Sequence, residues 1–168
     1  MKSTRSNHTR LRVLRTSDPR TAFQRRTARQ ILEEYGIPRS LLSSSAKAEK
    51  CGKVGVLNRV LYLPPGIFCP AATAGCLEGC LGHTSGNMQL PSSAIARDRR
   101  AALYLEDRGL FLEMLRCELH QLRHTAKSSG LVPAVRLNGT SDLPWERLHP
   151  ELFGEFKDIQ FFDYTKLP

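Results

Sequence analysis

The first sixteen residues show no apolar periodicity and many like charges, so residues 1–16 are expected to form a disordered leader. A helical pattern opens at Ser17-Asp18-Pro19, a capping residue followed by proline at the first helical position. It places Phe23, Thr27, Ile31, Leu32 and Tyr35 roughly on one side and stops at Gly36 with Pro38 beyond. A polar connection from Ser43 to Lys50 completes an N-terminal helix and linker over 17–50. The pattern then changes period. Val54 to Leu63 is rich in β-branched residues and leucine and ends at Pro64-Pro65-Gly66, which predicts a strand with a short hairpin arm before it. Residues 67–90 are cysteines, glycines and small residues and are expected to be a long loop, the kind that often carries function. Helices are predicted over 93–106 and 108–126, the second with Phe111, Met114, Leu115, Leu119 and Leu122 on its core face. Val132 to Leu137 and Ile159 to Phe162 are two further strands, ending in Asn138-Gly139-Thr140-Ser141-Asp142 and Asp163-Tyr164-Thr165-Lys166.

Strands alternating with helices predict an α/β fold with a parallel sheet, an incomplete, partial-barrel-like βα repeat over 51–168 with a helical N-terminal extension. The chain stops directly after its third major strand, so this domain is expected to be incomplete at its C-terminus. In parallel α/β folds, ligands bind beyond the C-terminal ends of the strands. The cysteine loop and the two polar clusters all follow strands, and are therefore expected to meet on one edge.

Charge changes the picture at one end. The net charge is +9, but residues 1–30 hold nine Lys and Arg against Asp18 alone, leaving the remaining 138 residues at +1. A basic leader can bind nucleic acid by neutralising phosphates, with Arg5, Arg10, Arg12, Arg15, Arg25, Arg26 and Arg29 as the candidate contacts. Interleaved aromatics for base stacking are missing. No uncharged apolar run approaches the roughly 20 residues of a membrane span. Five cysteines, three of them crowded together, do not read as a paired extracellular framework, and a reducing cytoplasmic setting is expected.

Cys69, Cys76 and Cys80 are the candidate chemistry. Small residues between them would let three thiols converge, and thiolates select zinc, copper(I) or iron–sulfur clusters. Three soft ligands leave one position, open to Cys51, His83 or an outside molecule. Zinc is an alternative occupant, although its usual paired C-x2-C spacing is absent. The bland alternative is small cysteines packed under a loop.

Three motifs in order carry a resemblance: Arg59-Val60-Leu61-Tyr62-Leu63-Pro64-Pro65 into Cys69-Pro70, Cys76 and Cys80; then Val135 to Asp142; then Phe161-Phe162-Asp163-Tyr164-Thr165-Lys166. From about residue 45 to 168 they resemble the phage gene-product-eighty-eight family. A wider similarity is to radical S-adenosylmethionine enzymes. It implies a 4Fe–4S cluster on Cys69, Cys76 and Cys80, with S-adenosylmethionine at the open iron. The same similarity implies cofactor contacts from the turn Asn138, Gly139, Thr140, Ser141 and Asp142; apart from it, Asp142, Asp163, Tyr164 and Lys166 stand at the sheet edge as candidate acid, base or ligand-orienting groups.

These polar residues have a plainer reading as turn formers. Cys117, His120 and His124 have ligand-like spacing but turn away from the core face, among Glu113, Arg116 and Arg123, and read as a solvated surface. Trp145 reads equally as a lid or as packing. The alternative function is a non-enzymatic nucleic-acid-binding protein whose cysteine loop is structural or holds zinc.

Overall fold

The computed structural model describes residues 27–44 and 46–165. The expected helix opening at Ser17-Asp18-Pro19 lies outside them, as do Phe23 and most of the leader. Within them, the helix α1 runs over Ala28–Tyr35 and opens at Thr27, which is extended and caps it. The Thr27 hydroxyl accepts from the Gln30 N–H at 3.3 Å, and the Gln30 amide oxygen accepts from the Thr27 N–H at 2.8 Å. Gly36, at φ 71, closes the helix as predicted, with its N–H on the Leu32 carbonyl.

A two-residue strand, β1 (Leu42–Ser43), is followed by α2 (Ala46–Lys50) and a 3-10 turn over Cys51–Val54. Then come β2 (Val56–Leu61), α3 (Ala74–Glu78), α4 (Leu81–Thr84), a second 3-10 turn over Gly86–Gln89, α5 (Pro91–Glu106) and α6 (Arg108–Ser128). The chain finishes with β3 (Val132–Arg136), α7 (Trp145–Leu148), α8 (Pro150–Glu155) and β4 (Gln160–Phe161).

The four strands form one open sheet in the order β1-β2-β3-β4. β2, β3 and β4 are parallel, with Val56 opposite Val132 and Ala134 opposite Gln160. β1 runs antiparallel to β2, so the sheet is mixed rather than wholly parallel. An antiparallel neighbour needs no crossover of its own, and α6 supplies what this short edge needs. The Glu118 carboxylate accepts the N–H groups of Leu41 and Leu42 at 2.6 and 2.7 Å. Two buried or half-buried arginines of α5 secure the same stretch. Arg100 donates to the Ser40 carbonyl and the Ser43 hydroxyl, and Arg99 to the Gly36 and Ile37 carbonyls.

The two long helices meet at Asp107, which ends α5 and caps α6 through its Oδ1 on the Leu110 N–H. Helix α6 lies against β2 and β3. Its core face holds Phe111, Leu115, Leu119 and Leu122, all buried, with Met114 half-buried at the margin. Burial of each such side chain stabilises by about 1.5–3 kcal/mol before entropy is counted. Tyr104 is the hub of the interior: the rings of Phe68, Phe111, Trp145 and His149 all surround it with centroids 5.1–6.0 Å away. Trp145 is therefore packing rather than a lid.

Residues 67–90 are not one loop. Thr73 caps α3, and the two following turns coil again, so Cys69 precedes α3, Cys76 lies within it and Cys80 caps α4.

His149 is 5% exposed and has Tyr104 Oη 3.0 Å from its Nε2 and Glu151 3.4 Å from its Nδ1. Burial holds its pKa below the ordinary imidazole value, and Arg108 and Arg116 press the same way against the opposing Glu151. A lowered folded pKa means that unfolding takes up a proton. Stability should be intact above pH ~6.5 and fall as pH drops, by at most about 1.4 kcal/mol per pH unit from this group. Chemical denaturation of the wild type and of His149→Gln across pH 4.5–8 checks this. The variant should be weaker at pH 7 and lack that part of the slope.

Candidate functional site

Beyond the C-terminal ends of β2, β3 and β4 lies a cleft of about 850 Å³. Cys69, Cys76 and Cys80 line it on one side; the turn Asn138, Gly139, Thr140, Ser141 and Asp142 lines it on the other, with Tyr164 at the margin. The three clusters that follow the strands thus meet on one edge. Two close approaches bring them together. A Cβ on Gly82 of α4 would come within 3.0–3.2 Å of Pro65 and Thr140, so the cysteine segment seats directly on the turn. A Cβ on Gly139 would come within 2.5–2.7 Å of Tyr62 and Val60, so the turn in turn seats on the end of β2. Gly139 has no room for a side chain, and at Gly82 the neighbours would have to give by a few tenths of an ångström.

Asn138 holds the turn. Its side-chain oxygen accepts from the Ser141 hydroxyl at 3.0 Å, the Leu143 N–H at 3.0 Å and the Trp145 indole N–H at 3.1 Å. Its amide nitrogen donates to the Leu143 carbonyl at 2.9 Å, and its main-chain N–H reaches Asp163 Oδ2 at 2.7 Å. The polar atoms of this 4% exposed side chain are committed to the protein. Ser141 is spent in the same network, while the Thr140 hydroxyl donates to the Leu63 carbonyl at 2.6 Å. For these three side chains the turn chemistry expected from sequence is what the hydrogen bonds display.

Asp163 also accepts from Arg136 Nε at 3.3 Å and from the Tyr164 N–H at 3.0 Å. Burial raises its carboxyl pKa, against the lowering effect of those N–H groups and Arg136. Tyr164 is 76% exposed and lies under the Arg136 guanidinium, 5.1 Å from the ring centroid.

The cysteines are half-buried and unpaired in any disulfide. The Gly66 N–H donates to Cys69 Sγ at 3.4 Å, and the Cys69 thiol lies 4.0 Å from the Thr140 carbonyl. The Thr73 hydroxyl lies 3.0 Å from Cys76 Sγ and also accepts the Cys76 N–H. Burial pushes the Cys69 thiol pKa up, and the neighbouring Cys80 and Asp142 push the same way. A cation in the cleft would reverse that balance, because coordination requires the thiolate. Among the described residues, no group of three or more His, Cys, Asp or Glu side chains is gathered closely enough to hold a metal ion. Cys51 and His83, the expected candidates for a fourth ligand, do not line the cleft.

Lys166 lies outside the described residues, as do Arg5, Arg10, Arg12, Arg15, Arg25 and Arg26. Arg29 is exposed and pairs with Glu33 at 3.0 Å. On α6, Arg116 pairs with Glu155 of α8 at 3.1 Å and His120 Nε2 lies 3.3 Å from the same carboxylate, both on the solvated face expected. Sequence reasoning missed Tyr62, Met88 and Arg136 as cleft residues. A signal was present for Arg136, a lone cation within the apolar run Val132 to Leu137.

Asn138→Ala would strand buried donors at Leu143 and Trp145. We expect a loss of about 3 kcal/mol in unfolding free energy, measured by urea titration, with Ser141→Ala costing about 1 kcal/mol. Equal, negligible losses would mean that the turn does not depend on this network.

No helix among the described residues is long and apolar enough to cross a membrane. No curated protein and no solved structure matches the chain. The family model Gene product 88 matches residues 39–168, which include β1 to β4, the cysteine segment and the turn after β3, and the chain belongs to that family.

Proposed function

We propose that the protein is a thiolate-ligated metal protein, with an iron–sulfur cluster on Cys69, Cys76 and Cys80 facing the turn Asn138–Asp142. The observation that carries this reading is that three thiols, unpaired in disulfides and none of them in the apolar core, open into the cleft that the turn closes. Core packing would have buried them fully. Soft thiolates fit iron–sulfur and zinc centres.

The thiols lie on three successive local elements, so loading requires the segment to draw inward. Gly75 and Gly79 lie within it, and glycine has the widest backbone range of any residue. Gly82 anchors the far end of the segment on Thr140. The Gly66 N–H at Cys69 and the Thr73 hydroxyl at Cys76 supply hydrogen bonds that favour sulfur in its charged form.

With neither Cys51 nor His83 in the cleft, the fourth position falls to a small molecule in this reading. The similarity to radical S-adenosylmethionine enzymes names that cofactor as the candidate, and a 4Fe–4S cluster would supply one electron to it. The chain's part is to hold the cluster, exclude bulk water with Pro65 and Leu77, and present the turn as the opposite wall.

Purification of the full chain without oxygen, followed by iron, zinc and acid-labile sulfide analysis, tests the reading. The expected result is iron with sulfide and a broad visible absorption, lost in Cys76→Ala and kept in Cys117→Ala, whose thiol is exposed on α6. Stoichiometric zinc without sulfide would retain the thiolate site and overturn the iron–sulfur assignment. Colourless, metal-free protein after reconstitution would overturn both.

A further inference from the structure

Arg136 is the lone cation among the described residues that line the cleft, and Asp142 the lone carboxylate. The Arg136 side chain, at 29% exposure, is fixed before any ligand arrives. Its Nε donates to Asp163, which is itself held by the Asn138 and Tyr164 N–H groups, and its guanidinium plane lies over the Tyr164 ring. Among the described residues only Nε has a partner, so the Nη1 and Nη2 end of the fork has none. A planar guanidinium with its two terminal nitrogens available matches a carboxylate bidentately. The main-chain N–H groups of Thr140 and Ser141, on the same wall, also donate to nothing among the described residues. Main-chain N–H groups are obligatory donors that find a partner in the protein, in water or in a ligand.

We propose that Arg136, with these two N–H groups, is the seat for the carboxylate of a small molecule whose flat portion lies against Tyr164 and Tyr62. Asp163 already offsets the charge of Arg136, and Asp142 follows Ser141 on the same wall. The fork offers two parallel donors that suit one carboxylate, and the nearby Asp142 repels the second charge of a phosphate dianion. The seat is built by β3 and the residues after β4 and stands whether or not a metal occupies the thiols.

The test uses metal-free, full-length, 15N-labelled protein titrated with acetate, benzoate and inorganic phosphate at constant ionic strength. Saturable shifts at the Arg136 Nε–H and the Thr140 and Ser141 amides are expected, with benzoate binding more tightly than acetate and both more tightly than phosphate. Arg136→Met should weaken carboxylate binding at least tenfold. Arg136→Lys, which keeps the charge and the fold but loses the fork, should weaken it severalfold. Shifts that never saturate, or that persist in Arg136→Met, would mean an adventitious ion only and overturn the seat. Phosphate binding more tightly than either carboxylate would overturn the ligand class.

Discussion

The amide side chain of Asn138 is the interaction on which the rest of the edge depends. The chain leaves β3 through a buried turn, and such a turn strands main-chain groups that no neighbouring strand can reach. Asn138 answers this at Leu143 and Trp145, while Asp163 answers for its own N–H. One residue thereby ties β3 to the stretch after β4 and to the aromatic interior around Tyr104. Its burial makes the arrangement all-or-none, since a half-satisfied polar network costs more than an apolar one.

From that fixed turn the cleft follows by contact. Gly139 lets the turn press on Tyr62, and Gly82 lets the cysteine segment press on Thr140. The thiols are therefore positioned by packing against a rigid wall and not by contacts among themselves. At the cleft's edge, Arg97 of α5 donates to the sulfur and carbonyl of Met88 at 3.1 Å each, which secures the far end of the same segment. Such buried guanidinium groups lose hydration, and burial lowers the pKa values of both Arg97 and Arg100. Carbonyl acceptors recover part of that cost, which explains why α5 keeps cations inside the fold.

The long elements were legible because their periodicity is long enough to register. The break between α5 and α6, the core face of α6 and the three parallel strands all stand where the apolar pattern puts them. Among the described residues the strands form one open, mostly parallel sheet of four. A short arm before the first strand was expected, but the position of β1 was not legible because two residues carry no period; its place is set by Glu118, 76 and 77 positions away in sequence. Helices α3 and α4, of five and four residues, are too short to show a helical repeat. The convergence of the three post-strand clusters was readable from topology. The internal use of Asn138 was not, because Asn138-Gly139 reads as a turn whichever way its side chain points. Arg136 was overlooked for a similar reason: a strand residue declares its face only once its neighbours are known.

In the proposed function, the wall formed by the turn and the three thiols opposite it make one ligand cradle. A crystal structure of the protein prepared without oxygen, with anomalous diffraction measured at the iron edge, addresses it most directly. Anomalous density is expected in the cleft within bonding distance of Cys69, Cys76 and Cys80 Sγ, with α3 and α4 drawn inward and the Asn138 network unchanged. Iron bound elsewhere, or an iron-free cleft in protein that retains its fold, would contradict it.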